Sequence, residues 1–94
     1  MALIEDPEYN EARALSRMVP SFAGRRVLEV GCGEGRLTRL FAAAAASVVA
    51  IDPKAESVAA LRDEFPAIDA RAIGIEQLDL PLHSVDIAIF SWSL

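Results

Sequence analysis

The chain has little cysteine, little positive charge and no long apolar run, and each shortage removes a class of function. Cys32 is the one cysteine; it cannot close an internal disulfide and offers no metal-ligand spacing, so no metal site is expected and a reducing compartment suits the chain. Nine lysines and arginines stand against 14 acidic residues, a formal net charge of -5. That balance opposes steering toward phosphate backbones, and Arg25-Arg26 is too short a basic run to make a patch, so no nucleic-acid partner is expected. The longest apolar-rich stretch, Leu40 to Ile51, ends at charged residues on both sides and falls short of the ~20 residues a membrane span needs. The opening Met1-Ala-Leu-Ile-Glu-Asp-Pro lacks the basic start and apolar stretch of a signal peptide, so the cytoplasm is the expected location and no membrane partner is foreseen. What the chain has is apolar residues, 53% of 94, enough to bury a core in one compact domain.

The apolar pattern changes period along the chain. Asp6-Pro7 suits a helix start, which predicts a helix over 7–18, ended by Pro20 and Gly24. Arg26 to Val30 reads as a first strand entering a glycine cluster. Leu37, Leu40, Phe41 and Ala44 then recur at helical spacing. Ser47 to Ile51 is a second, β-branched strand, and Ala55, Val58, Leu61 and Phe65 mark a helix over 54–65 that Pro66 ends. Ile68 to Ala72 is a weaker third strand and Val85 to Ser91 a fourth. Strands alternating with helices predict an α/β fold, a Rossmann-like parallel sheet with flanking helices. Residues 1–24 form the expected N-terminal helix and loop and residues 25–94 the βα core.

Chemistry concentrates after the first strand. In Gly31-Cys32-Gly33-Glu34-Gly35 three alternating glycines join a strand to a helix, where main chain must turn sharply and approach a ligand. A dinucleotide fingerprint needs G-x-G-x-x-G, and here Glu34 or Arg36 takes the third-glycine position, which weakens a nicotinamide reading. Asp52 closes the second strand 21 residues after Gly31, where a carboxylate can accept hydrogen bonds from both ribose hydroxyls. It can equally cap the helix that starts at Pro53.

Leu28-Glu-Val-Gly-Cys-Gly-Glu-Gly35 resembles motif I of the class I S-adenosylmethionine-dependent methyltransferases, and Asp52 matches their ribose-binding acid. Residues 74–87, Gly-Ile-Glu-Gln-Leu-Asp-Leu-Pro-Leu-His-Ser-Val-Asp-Ile, resemble a second family segment, most like the small-molecule branch related to quinone-biosynthesis methyltransferases. The resemblance covers roughly residues 20 to 94. It implies S-adenosyl-L-methionine as cofactor, a loop of Gly31, Cys32, Gly33 and Gly35 holding its methionine and ribose parts, Asp52 beside Pro53 on the ribose, and the 74–76 turn, with Ile75 and Glu76, bordering adenine. Gly74 stands where the family usually has an acid toward the adenine amino group, so the Ile75 amide and apolar contact are left to hold the base. Such domains continue through three further strands, so the resemblance also implies a sheet truncated after its fourth strand, with most of the acceptor site beyond Leu94.

Other residues carry two readings each. Glu29 is either a contact to the methionine end or a brace for the loop. Cys32 fits sterically between glycines and lacks a paired base, so it is not assigned as a nucleophile. His83, in a polar loop, reads as solvated. Ser91 and Trp92 end the fourth strand, where open α/β sheets bind ligands; Ser91 is a candidate cofactor contact, and Trp92 is either such a contact or uncovered core. No catalytic residue is assigned. In the family's strand order, 3-2-1-4-5-7-6, strand four becomes an edge when the sheet stops there, so residues 86–92 are expected to be exposed and to drive formation of a homo-oligomer or docking of a completing chain. The competing functions are methyl transfer to a small-molecule substrate, a catalytically inactive cofactor-binding or interaction fragment, and an NAD-dependent oxidoreductase fragment.

Overall fold

A computed structural model describes residues 2–5, 22–81 and 83–91. The helix expected over 7–18 and the possible contact at Trp92 lie outside the described residues. The elements are β1 (Ala2–Glu5), β2 (Arg26–Val30), α1 (Thr38–Phe41), β3 (Ser47–Ile51), α2 (Ala55–Glu64), β4 (Asp69–Arg71), a 3-10 turn at Ile75–Gln77 and β5 (Ile87–Phe90). All strand pairs are parallel, in the order β1-β5-β2-β3-β4. The sheet is thus Rossmann-like, with β4-β3-β2-β5 reproducing the expected 3-2-1-4.

Side chains alternate across each strand, and the register aligns them into rows. Ile87, Val27 and Val48 form one row; Ile89, Glu29, Ala50 and Ala70 form the next on the same face. That face, with Leu37, Phe41, Val58 and Leu61 from the helical side, makes the core, and Phe22 and Phe41 stack at 5.2 Å between ring centroids. Glu29 is the one charged member of its row and is fully buried.

α1 is shorter than its apolar stripe predicts. After Phe41 the chain tightens, with the Ala44 amide donating to Phe41 O at 3.0 Å. The Ala44 carbonyl then accepts from the Gly24 amide at 3.0 Å, so the end of the helix is drawn to the loop before β2. α2 runs close to its expected length and ends before Pro66. β4 is a three-residue edge, shorter than the predicted 68–72, and the Arg62 guanidinium covers its Ala70 carbonyl at 2.6 and 2.9 Å.

One expectation is overturned. The fourth strand of the predicted core, β5, is not an open edge: β2 pairs with one side and β1 with the other, from Ala2 opposite Ile87 to Glu5 opposite Phe90. Unpaired strand amides and carbonyls seek partners, and Ala2-Leu-Ile-Glu5 supplies them from a segment read as helix and loop. The exposed-edge route to self-association therefore loses its premise.

Candidate functional site

The sheet reverses its winding between β2 and its two neighbours, β3 and β5, and open α/β sheets bind ligands beyond the strand ends at such a switch point. A cavity of about 680 Å³ opens there, within the ~300–1,000 Å³ typical of small-molecule sites. Its walls come from the ends of β2 and β3, the turn after β4 and the residue after β5.

The glycine loop forms one wall, and its glycines answer to different neighbours. The Gly31 and Cys32 amides both donate to Ile51 O, at 2.8 and 3.1 Å, and bend the chain from β2 toward β3. A Cβ on Gly31 would stand 2.6 Å from the Ser91 carbonyl oxygen, so backbone packing against the end of β5 excludes a side chain. Gly33 has φ +54 and nothing within 4 Å of its Cβ position, so the space it leaves open belongs to the cavity. A Cβ on Gly35 would meet Leu61 Cδ1 at 2.6 Å, which is a helix-packing constraint.

Asp52 links this loop to α2. Its Oδ2 accepts from the Gly33 amide at 3.0 Å and its Oδ1 from the Lys54 amide at 2.9 Å. A carboxylate has about four acceptor positions. Each oxygen thus keeps an acceptor position beyond its backbone donor, on a residue that lines the cavity, which suits a vicinal diol. Asp52 is buried at 8% exposure, so ligand hydrogen bonds there are sheltered from water.

Behind the wall, Glu29 accepts hydrogen bonds from the Thr38 hydroxyl on Oε1 and from Ser91 Oγ on Oε2, the latter at 2.7 Å. Burial is the main cause that pushes its carboxyl up to about 7, against the opposing effect of the two hydroxyls and Arg36. Cys32 is buried too, and burial, with the nearby Glu29 and Asp52 charges, pushes its thiol up to about 12. No thiolate forms near neutral pH, in keeping with a steric role.

Of the residues singled out in the sequence, Gly31, Gly33, Asp52, Pro53, Ile75 and Ser91 line the cavity. Glu29, Cys32, Gly35 and Glu76 do not: Glu29, Cys32 and Gly35 are buried behind it, and Glu76 turns its carboxylate over Gly74, 2.5 to 2.9 Å from where a Cβ there would stand. Sequence reasoning missed Glu34, Lys54, Ser57 and Ile73, which also line it. Ser57 had a readable signal, since it lies one turn back from Leu61 on the buried face of α2. His83, read as a solvated loop residue, is exposed with φ 68 and lies beside a second cavity of about 450 Å³.

Fold and cavity define a Rossmann-like α/β domain with a pocket of small-molecule size at its switch point. Residues 27–94 match the family described as "Methyltransferase domain", and the chain belongs to that family. It is 37% identical over 73 residues to a probable S-adenosylmethionine-dependent methyltransferase of Mycobacterium tuberculosis, covering 78% of this chain and 27% of that protein. It is 30% identical over 93 residues to the ubiquinone biosynthesis O-methyltransferase of Rhodopseudomonas palustris, covering 95% and 36%. A solved S-adenosylmethionine-dependent methyltransferase of Mesorhizobium loti superposes with a TM-score of 0.71 at 30% identity over 85% of this chain and 38% of that one. A putative RNA methyltransferase of Pyrococcus horikoshii, at 21% identity and TM-score 0.71 over 86% and 43%, shares the fold. The chain spans about a quarter to a third of the length of the curated relatives it matches. The cofactor that membership implies is S-adenosylmethionine, and the free acceptor positions on Asp52 and the open space at Gly33 fit its ribose.

Proposed function

We propose that this chain is the cofactor-binding part of an S-adenosylmethionine-dependent methyltransferase acting on a small-molecule acceptor. The observation that carries the reading is the Asp52 carboxylate, held by two backbone amides at the rim of the switch-point cavity with acceptor capacity left over. In this reading Asp52 takes the two ribose hydroxyls, Gly31 and Gly33 let the nucleoside and its sulfonium end lie against main chain, and Ile75 covers the base. Ser91, after β5, borders the sulfonium end.

When bound, S-adenosylmethionine supplies an electrophilic methyl group to an acceptor nucleophile. The chain's own contribution is alignment and exclusion of water, the main needs of a direct displacement. A small-molecule acceptor is supported by the net charge of -5 and by the similarity of residues 74–87 to the quinone-biosynthesis branch. Calorimetric titration with S-adenosylhomocysteine, with NAD as control, tests the reading. Binding of the first alone is expected; binding of NAD alone overturns it in favour of an oxidoreductase fragment, and binding of neither favours an interaction fragment.

A further inference from the structure

The second cavity, of about 450 Å³, is also of small-molecule size, and its chemistry differs from that of the first. Leu28, Ile75, Leu78, Leu80, Pro81 and Val85 give it apolar walls, and no Asp, Glu, Lys or Arg among the described residues joins them. The first cavity, by contrast, has Glu34, Asp52 and Lys54 on its walls. His83 and Ser84 complete the second one. The Ser84 amide donates to Pro81 O at 3.1 Å, but Ser84 Oγ is buried and has no hydrogen-bond partner among the described residues. A hydroxyl shut away from water without a partner is costly, so an orphan on a cavity wall marks a place for a ligand's polar group.

We propose that this cavity binds a small neutral phenol, its hydroxyl on Ser84 and its apolar body on the aliphatic walls, and that it is a regulatory site set apart from the reacting one. Walls without charge select against phosphate- or carboxylate-bearing ligands, and a serine hydroxyl can both donate to and accept from a phenol. Position separates the two sites. Gly31 and Ser91, which border the sulfonium end in the proposed function, lie past the ends of β2 and β5. The second cavity instead lies against Leu28, in the middle of β2, and Val85, ahead of β5. Leu28 also faces the side of the sheet opposite Val27 and Glu29.

Ile75 connects the two sites, because it belongs to the walls of both cavities. It opens the 3-10 turn Ile75–Gln77, in which no residue is buried, and is itself 48% exposed. The turn is held by local bonds: the Gln77 amide donates to Gly74 O at 3.0 Å, the Leu78 amide to Ile75 O at 3.1 Å, and the Gly74 amide to Gln77 Oε1 at 2.9 Å. What packs on Ile75 therefore sets how firmly the turn is placed. A phenol in the second cavity packs on Ile75 and Leu78 from one side, and in the proposed function, on which this coupling rests, the cofactor's base packs on Ile75 from the other. Whichever ligand binds first orders the turn for the second, and each raises the other's affinity by the same factor.

The test is calorimetry of the full chain with thymol and with cymene, which has the same body without the hydroxyl, each alone and with saturating S-adenosylhomocysteine. Thymol is expected to bind about three- to tenfold tighter than cymene, and Ser84→Ala to erase that difference while leaving the urea midpoint unchanged or raised. Val85→Phe, which fills part of the space, is expected to abolish thymol binding. Saturating S-adenosylhomocysteine is expected to tighten thymol binding about fivefold or more. Absence of thymol binding, a thymol preference that survives Ser84→Ala, or binding that survives Val85→Phe overturns the site. A lowered midpoint in Ser84→Ala shows that the hydroxyl already has a partner and overturns it too. Equal thymol affinity with and without S-adenosylhomocysteine overturns the regulatory role and leaves the proposed function standing. Failure of S-adenosylhomocysteine to bind at all overturns the proposed function and the coupling with it, while thymol and cymene still decide the site. Should Val85→Phe not fold, Ser84→Ala decides alone.

Discussion

Gly31 and Gly33 share one motif but answer to different demands. Both have positive φ, at 79 and 54, which costs a residue with a side chain ~1–2 kcal/mol. At Gly31 a Cβ also runs into the Ser91 carbonyl oxygen, and overpacking against backbone adds ~1–3 kcal/mol. Gly31→Ala is therefore expected to lower the urea midpoint clearly. Gly33→Ala is expected to lower it less, by the ~1–2 kcal/mol of backbone strain alone, because its Cβ meets nothing, and to show a further loss in affinity for S-adenosylhomocysteine. Equal effects on stability would contradict the assignment of one glycine to strand packing and the other to the ligand. Asp52→Asn keeps the shape but leaves one oxygen for two backbone donors, Gly33 and Lys54. Stability should fall by ~1–3 kcal/mol and ligand affinity by about tenfold or more, measured by urea unfolding and calorimetry.

Among the elements, stability rests on the helical side of the sheet. Phe41 is fully buried against Phe22, so Phe41→Ala should cost ~3–5 kcal/mol. Arg39 joins α1 to Glu64 on α2 at 2.6 Å, but both side chains are largely exposed, and Arg39→Ala should leave the midpoint nearly unchanged. β2, β3 and α2 were legible because each has a strong period and a clear stop. Arg26 to Val30 and Ser47 to Ile51 match their predicted bounds, and Pro66 stops α2. α1 was over-read, since its apolar stripe continues past Phe41 while the chain is pulled toward Gly24 by long-range bonds that no local pattern encodes. β1 was missed for the same reason: four residues gain strand structure only by pairing with β5, 85 residues away in register. Removing residues 1–5 should uncover that edge and raise concentration-dependent association in light scattering; unchanged mass would argue that β1 does not cover it. As cavity wall, Asp52, Gly31 and Gly33 were legible because motif and strand end coincide, whereas Gly35 of the same motif packs against α2 and Lys54 and Ile73 reach the cavity through chain geometry alone.

For the whole molecule, pH links the buried core to its surface. The folded-state value of Glu29, about 7, lies above its ordinary 4.5, so the folded chain holds a proton that the unfolded chain loses first. Stability from this group is present below pH 4.5 and falls as pH rises to 7, by up to ~3 kcal/mol. Glu64, Asp69 and Asp86 have values lowered by Arg39, Arg71 and Arg26. Their contribution is present above the ordinary carboxylate range and lost on acidification, so stability should peak in mildly acidic solution. Urea midpoints from pH 4 to 8 check this, and Glu29→Gln should remove the fall on the alkaline side. The central claim concerns the cavity where β2, β3 and β5 end, and a crystal structure with S-adenosylhomocysteine tests it most directly. The account predicts both ribose hydroxyls on the Asp52 carboxylate with the nucleoside against Gly31 and Gly33; a ligand seated elsewhere, with Asp52 bonded only to Gly33 and Lys54, would contradict it.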